Sequence, residues 1–225
     1  MRNMQSPERL EIPDGSRTLD VHSKWNTIQG EGLFAGTPAS FIRLAGCNLQ
    51  CPLCDTDYTK GRRREEISSL LGWVKNQPHG LVVLTGGEPF RQDIFELVNG
   101  IGKLHKILQI ETNGTYIPLD FPQDKCTVIC SPKNSNLSSR TSVHVHAWKY
   151  VVRHDAIDPF DGLPTSALGM SSRPARPNNQ KTVYVQPCDD KDPLINRLNT
   201  EAAVKSCMQF GYRLCLQIQK IINMP

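Results

Sequence analysis

Short apolar runs recur along the chain, separated by polar segments that contain glycine or proline. Six of them are rich in Val, Ile and Leu and lie at residues 40–44, 81–85, 107–111, 127–131, 147–152 and 182–186. Runs that are apolar almost throughout are typical of strands covered on both faces, as in parallel sheets with helical crossovers. We therefore predict six core strands. A seventh run, residues 213–218, is predicted to pair at an edge or to lead the tail back toward the site.

Helical periodicity is clear in only three segments, at about residues 65–76, 91–104 and 200–210. In the first, one apolar stripe at the i, i+3, i+4, i+7 spacing is formed by Ile67, Leu70, Leu71 and Val74. Three helices are too few for a closed eight-fold barrel, so the pattern predicts an α/β fold, an open and abbreviated partial TIM-type barrel of about six parallel strands and about three helices. Residues 153–180, with four prolines and little periodicity, are predicted to be a long connection in place of a crossover helix.

Composition adds few constraints. A chain of 225 residues with 38% apolar content can bury one core, and no run approaches the roughly 18 apolar residues of a membrane span. We expect a single domain, residues 1–225, and no membrane association. The net charge is only +4. The densest basic run, residues 62–64, precedes Glu65 and Glu66, which predicts a solvated helix start and no nucleic-acid partner.

Three of the eight cysteines lie in one short segment, as Cys47, Cys51 and Cys54. Three thiolates at this spacing can hold three corners of a cubane iron–sulfur cluster, and they leave one iron open to a ligand that is not protein. Structural zinc usually takes four closed ligands, and His79, the nearest downstream histidine, has no paired ligand beside it. A cluster is favoured, with zinc or inert cysteines as the alternatives.

The other five cysteines are scattered among apolar residues, at positions 126, 130, 188, 207 and 215. Free cysteine in such surroundings behaves as a small buried hydrophobe. The chain also shows no signal-like leader at Met1. Together these features predict a reducing, cytoplasmic location rather than a disulfide scaffold.

Small or hydrogen-bonding residues follow five of the predicted strands. The cysteine loop, residues 47–56, follows the first, and the other four segments are Thr85-Gly86-Gly87-Glu88-Pro89, Glu111-Thr112-Asn113-Gly114, Ser131-Pro132-Lys133 and Gln186-Pro187. In parallel α/β sheets, ligands bind outside the carboxyl ends of the strands. These segments are therefore expected to form one rim around a site.

The cysteine spacing followed by Gly86-Gly87-Glu88-Pro89 resembles the radical S-adenosylmethionine superfamily. The resemblance implies that the methionine amino and carboxylate groups of the cofactor chelate the open iron. It also implies that the backbone after Thr85 holds the amino group, which glycine permits by allowing close approach. The residue before the third cysteine is commonly aromatic in that superfamily, but here it is Leu53, so its contact with adenine would be aliphatic.

Within that superfamily the chain is similar to the 7-carboxy-7-deazaguanine synthase family from about residue 22 to the end. The matching segments include Trp25-Asn26-Thr27-Ile28-Gln29-Gly30-Glu31-Gly32, Gly46-Cys47-Asn48 and Cys54-Asp55-Thr56. The most specific of these are Gln29-Gly30-Glu31-Gly32 and Cys54-Asp55-Thr56. The resemblance implies conversion of 6-carboxy-5,6,7,8-tetrahydropterin into 7-carboxy-7-deazaguanine with loss of ammonia, in queuosine and 7-deazapurine biosynthesis. The cofactor radical would start the reaction by taking hydrogen from C6 of the pterin.

The resemblance also implies a set of ligands. Cofactor-binding positions are Leu53, Asp55, Gly86, Gly87, Glu88, Thr112, Ser131, Lys133 and Gln186. Substrate positions, several in an N-terminal substrate loop at about residues 22–38, are Ile28, Gln29, Gly30, Glu31, Arg43, Thr85, Gln219 and Pro225. Thr56 is the implied protein ligand of Mg²⁺, which keeps substrate oxygens and waters as its other ligands.

The tail departs from the family pattern. A histidine is common in a Gln-Thr-His-Lys stretch, whereas this chain has Gln217-Ile218-Gln219-Lys220, so the amide of Gln219 would replace the histidine contact. The last residues are expected to be ordered, with the carboxylate of Pro225 on the pterin. The alternative is that Ile221, Ile222 and Met224 only cover the open side of the barrel.

The expected partners are the small-molecule pterin, an external one-electron donor such as flavodoxin or ferredoxin, and a second copy of the chain in a homodimer. Two other functions remain open. A glycyl-radical-enzyme activase shares the cysteine spacing but acts on a protein, and it gives no reason for the segment Gln29-Gly30-Glu31-Gly32. A non-catalytic iron–sulfur or zinc protein is the second.

Overall fold

The computed structural model describes residues 3–11, 15, 17–54, 56–57, 60–119 and 121–225. Across these ranges one sheet of nine strands forms the centre of the molecule. The strands are β1 (Thr18–Ile28), β2 (Pro38–Leu44), β3 (Arg63–Glu66), β4 (Leu81–Gly86), β5 (Ile107–Thr112), β6 (Thr127–Cys130), β7 (Ala147–Val152), β8 (Thr182–Pro187) and β9 (Arg213–Leu214). Their order is β3-β1-β2-β4-β5-β6-β7-β8-β9, so β3 and β9 form the two edges and the sheet stays open, as predicted.

The six predicted core strands are present, and all are parallel. They correspond to β2, β4, β5, β6, β7 and β8, and β9 adds one more parallel pairing beyond β8. The seventh apolar run pairs at the edge through only two residues, Arg213 and Leu214, and then leaves the sheet. Its end starts a short helix, α5 (Ile218–Ile221), because the chain turns back toward the strand ends there.

Two strands that the apolar pattern did not predict extend the sheet in the antiparallel sense. Strand β1 pairs with β2 along most of its length, and β3 pairs with its first four residues. The basic run was predicted to begin a helix, and that prediction was wrong. Residues 63–66 form β3 instead, since their backbone completes the edge beside Thr18–Val21 and the side chain of Arg64 donates to Thr18 Oγ1 at 2.7 Å.

The three long helices match the predicted segments, with shifted ends. They are α1 (Ile67–Lys75), α2 (Phe95–Lys103) and α4 (Pro193–Phe210), and a single turn, α3 (Thr141–His144), precedes β7. Helix α4 begins seven positions earlier than residue 200 because Asp192 caps it, accepting from the backbone N–H groups of Leu194 and Ile195 at 2.9 and 3.1 Å. Pro193 at the first helical position fits such a start.

The connection over residues 153–180 contains no long helix or strand, as predicted. Two acidic and two basic side chains hold it together, since Asp161 pairs with Arg173 and Arg176 at 3.0 and 2.7 Å and Asp158 pairs with Arg173 at 2.5 Å. The connection reaches the cysteine loop, where Leu168 O accepts from Leu53 N at 2.9 Å. In the part of the chain described above, no helix has the length and hydropathy needed to cross a bilayer.

Candidate active site

One cavity of about 590 Å³ opens at the carboxyl ends of the parallel strands. The strand ends meet there because the parallel pairings place Leu44 beside Gly86 and Thr112 beside Cys130. The predicted site residues that line it are Ile28, Gln29, Glu31, Arg43, Cys47, Cys51, Leu53, Cys54, Thr56, Thr85, Gly86, Gly87, Thr112, Ser131, Lys133, Gln186, Gln219 and Pro225. Asp55 lies outside the described residues. Gly30 and Glu88 are not among the residues that line the cavity.

The three cysteines of the loop face this cavity. Cys47 and Cys51 are buried and Cys54 is partly buried. Burial raises the pKa of Cys47 to about 12 and also raises the pKa of Cys51, so the free thiols are protonated at neutral pH and iron would have to displace their protons.

Among the described side chains, no three from histidine, cysteine, aspartate or glutamate form a group able to hold one metal ion. The three thiols of the loop nevertheless line one cavity.

Two glycines let the backbone after β4 pack against the cysteine loop. A Cβ atom on Gly87 would lie 2.0 Å from the carbonyl oxygen of Gly46 and 2.8 Å from Cβ of Cys47. Gly86 has a φ of +151°, and a Cβ there would lie 2.2 Å from the carbonyl oxygen of Leu44. No larger residue fits this approach, so the two segments form a cradle that only glycine allows.

Glu88 supports this cradle from behind. Its carboxylate is fully buried and accepts hydrogen bonds from Phe90 N at 3.1 Å, Thr112 Oγ1 at 2.7 Å and Asn113 N at 2.7 Å. Burial raises the pKa of this carboxyl to about 7. The side chain predicted to bind the cofactor thus ties the loop after β4 to the loop after β5.

An N-terminal strap, residues 3–11, covers the outer side of the cysteine loop. Asn3 N donates to Pro52 O at 2.8 Å, and Glu8 N donates to Cys47 O at 2.7 Å. The side-chain amide of Asn3 donates to Cys51 O at 3.1 Å. The strap was not predicted, because it has no periodicity and its contacts, through backbone groups and through the side chains of Glu8 and Glu11, are with distant parts of the chain.

Ser131 and Lys133 lie together on the wall opposite the glycines. The ammonium of Lys133 donates to both the carbonyl and the hydroxyl oxygen of Ser131 at 2.6 Å. Burial lowers the pKa of Lys133. The pair places a hydroxyl and a positive charge beside the cysteines, a suitable arrangement for the carboxylate and ribose groups of a cofactor.

The cavity wall also carries a carboxylate–ammonium–carboxylate triad, formed by Glu31, Lys149 and Glu111. Nζ of Lys149 donates to Glu31 Oε2 at 2.6 Å and to Glu111 Oε2 at 2.8 Å. All three residues line the cavity. Glu111 and Lys149 were missing from the predicted site. The sequence feature that could have identified Lys149 is its position inside the otherwise apolar strand β7, where an unpaired charge would be costly.

Arg43 lies on the cavity wall among aromatic rings. Its guanidinium sits 4.8 Å from the ring centre of Trp25, which stacks on Phe41 at 5.0 Å. A cation held over an aromatic face is stabilised and fixed in direction. The arrangement presents a positive group to a ligand carboxylate.

The C-terminal segment contacts the cavity wall at Glu31. Glu31 Oε1 accepts from Gln217 Nε2 at 2.9 Å and from Gln219 Nε2 at 3.3 Å. Gly30 packs directly on this segment, since a Cβ there would lie 1.5 Å from Gln219 Oε1.

The last residues of the tail turn toward the cavity. Met224 and Pro225 line it. Ile221 and Ile222 remain 65% and 47% exposed, which does not support the alternative that they only cover the open side of the barrel.

The chain is similar to curated proteins from several bacteria. It is 37% identical over 231 residues to the 7-carboxy-7-deazaguanine synthase of Rhodospirillum rubrum, a match that covers 97% of this chain and 98% of that protein. It is 33% identical to the synthase of the same name from Rickettsia prowazekii, over 97% of this chain and 94% of that protein. No protein-family model matches the chain.

A solved structure has a similar fold. The crystal structure of QueE from Escherichia coli matches with a TM-score of 0.67 and covers 90% of this chain and 95% of that one. The sequence identity is 24%, so this likeness shows the fold alone.

The cradle predicts the effect of one added methyl group. Gly87→Ala should lower the iron and sulfide bound after anaerobic reconstitution, because its Cβ displaces Gly46 and Cys47. Gly72→Ala is the matched control, since nothing lies within 4 Å of that Cβ and alanine is favoured in helix α1 by about 1 kcal/mol. Full cluster content in Gly87→Ala would show that the close approach is unimportant.

Proposed function

The chain belongs to the 7-carboxy-7-deazaguanine synthase family, and we propose that it converts 6-carboxy-5,6,7,8-tetrahydropterin into 7-carboxy-7-deazaguanine with release of ammonia. It is thus a radical S-adenosylmethionine lyase of the queuosine pathway. The observation that best supports this activity is the shared cavity, which is lined by the three cysteine thiols and also by several charged and polar side chains.

The residues present fit the cofactors that the family implies. Cys47, Cys51 and Cys54 would hold a [4Fe-4S] cluster and leave one iron open for S-adenosylmethionine. When bound, these two groups supply one-electron radical chemistry, while the protein supplies position and exclusion of water. The backbone of Gly86 and Gly87 would receive the amino group of the methionine, because no side chain obstructs it.

The other cofactor contacts remain predictions, and the positions of these residues on the cavity wall support them. Ser131 and Lys133 offer a hydroxyl and an ammonium group beside the cysteines. Thr112, Gln186 and Leu53 line the same wall. Glu88 would act by holding the loops that carry Gly87 and Thr112.

The part of the cavity wall that carries the carboxylate–ammonium–carboxylate triad suits the pterin. An aminopyrimidinone ring presents several N–H donors, and the carboxylates of the triad are acceptors that make charge-assisted bonds. Ile28, Gln29 and Thr85 line the adjoining wall. Arg43 would receive the carboxylate of the substrate, which the negative triad would repel.

Magnesium would bind at Thr56, the last residue of the cysteine loop, which lines the cavity. Magnesium usually keeps several waters and takes few protein ligands. One hydroxyl group from the protein, with oxygens from the substrate carboxylate, would meet that preference.

We further propose a cellular location, an electron donor and an oligomeric state for the enzyme. All eight cysteines are free thiols, which supports a reducing, cytoplasmic location. Turnover would need an external one-electron donor such as flavodoxin or ferredoxin. We also expect a homodimer, which analytical ultracentrifugation would test.

The first test uses the cysteines. The reconstituted protein should bind about four irons per chain and convert the carboxypterin in the presence of reductant and S-adenosylmethionine. Alanine at Cys47, Cys51 or Cys54 should abolish both, whereas Cys126→Ala and Cys207→Ala should keep both. Product is measured by mass spectrometry.

The same assay separates the alternative functions. An activase would cleave S-adenosylmethionine only with a protein substrate, and a binding protein would not turn over. Cluster formation without any deazaguanine product would overturn the proposal.

The second test concerns magnesium. Thr56→Ala should lower magnesium-dependent activity by about tenfold or more, since it removes an oxygen ligand from the ion while the cysteines stay in place. Thr56→Ser keeps the hydroxyl group and should retain most activity. The visible absorbance of the cluster reports whether the loop is intact. Equal rates with and without a chelator would contradict this role.

A further inference from the structure

We infer that Lys149 is a positioning residue that holds Glu31 and Glu111 as one rigid pair of acceptors for the donor edge of the pterin. This inference rests on the proposed function, and it concerns a residue that the sequence motifs do not single out. Lys149 is 8% exposed and lies in strand β7. Its ammonium group is the only link between the two carboxylates among the described hydrogen bonds.

The two acceptors come from different parts of the fold. Glu31 lies in the connection between β1 and β2, whereas Glu111 lies near the end of strand β5. A single ammonium group bonded to both fixes the separation of their oxygens. Each carboxylate has a second anchor, since Gln109 Nε2 donates to Glu111 Oε1 at 2.6 Å and Gln217 Nε2 donates to Glu31 Oε1 at 2.9 Å.

The charges explain why the lysine matters for a ligand. Two carboxylates and one ammonium group leave one net negative charge at this end of the cavity. Each carboxylate can accept about four hydrogen bonds, so acceptor positions remain for N–H donors of a ring. A buried ion pair adds little to stability, which is consistent with a role in the site rather than in the core.

The ionisation of Glu31 depends on this contact. Burial alone would raise its pKa, but the charge and hydrogen bond of Lys149, with those of Gln217 and Gln219, hold the pKa at about 2. The carboxylate is therefore charged throughout the neutral range. Without the ammonium group, only the hydrogen bonds of Gln217 and Gln219 would oppose the effect of burial, so the pKa of Glu31 would rise.

Other titratable groups face the triad. Cys215, which follows β9, and Lys133, which follows β6, both interact with Lys149. Cys130 at the end of β6 interacts with Glu111. Burial raises the pKa of Cys215 to about 12 and that of Cys130 further, so both thiols stay neutral between pH 5.5 and 7.5. Burial lowers the pKa of Lys133 and the charge of Lys149 lowers it further, so variants without that charge would keep Lys133 protonated to higher pH.

The test measures binding separately from turnover. The probe is 6-carboxypterin, an oxidised analogue without a hydrogen on C6, titrated by its fluorescence into anaerobic, reconstituted protein. Lys149→Met should weaken binding about tenfold, because the carboxylates lose a charged partner that orients them. In turnover, KM for the pterin should rise more than kcat falls.

The dependence of probe affinity on pH distinguishes a positioning role of Lys149 from a packing role. Relative to the wild type, Lys149→Met should lose further affinity as pH falls from 7.5 to 5.5, because protonation of Glu31 occupies an acceptor site. Lys149→Gln removes the charge but keeps donor groups, and it should show the same pH dependence if Lys149→Met does not fold. Lys149→Arg keeps the charge and should restore a profile parallel to the wild type.

Lys24→Met is the matched control, since Lys24 forms a partly buried ion pair with Glu65 away from the cavity. It should leave the affinity and the pH profile unchanged. If the wild type does not bind the probe, the proposed function fails. If the wild type binds and both Lys149→Met and Lys149→Gln match it across this pH range, the role of Lys149 is refuted.

Discussion

The parallel register of the central strands is the constraint on which the site depends. Pairing Leu44 with Gly86, Thr112 with Cys130 and Val152 with Pro187 brings the carboxyl ends of six strands to one edge. Each strand then contributes one short polar segment to a common cavity. The buried carboxylate of Glu88 joins two of these segments, so the geometry of the cysteine loop is transmitted to the loop after β5.

Much of this arrangement could be predicted from the sequence because its signals are local. Six apolar runs identified the parallel strands, and the amphipathic stripe of Ile67, Leu70 and Val74 identified α1. The cysteine spacing and the glycines at 86 and 87 each reflect a steric or ligand requirement within a few residues. The family resemblance supplied the set of predicted ligands, and most of those residues line the cavity.

The features that were missed depend on contacts between distant parts of the chain. Strand β1 alternates polar and apolar residues only weakly, and β3 is a charged edge that pairs because β1 is already in place. The N-terminal strap is held by backbone hydrogen bonds and by ion pairs of Glu8 and Glu11 with Arg62 and Arg91, all of them distant in sequence. Lys149 would be an unfavourable residue in an apolar strand, and its function emerges only when Glu31 and Glu111 are brought beside it.

We propose that one cavity holds the cluster, S-adenosylmethionine and the pterin, with the pterin donor edge on the carboxylates. A crystal structure of the anaerobic, reconstituted enzyme with both small molecules, combined with anomalous diffraction from iron, tests this directly. We expect iron at Cys47, Cys51 and Cys54, and the aminopyrimidinone edge against Glu31 and Glu111. Iron elsewhere, or a pterin whose carboxylate faces those two residues, would contradict this arrangement.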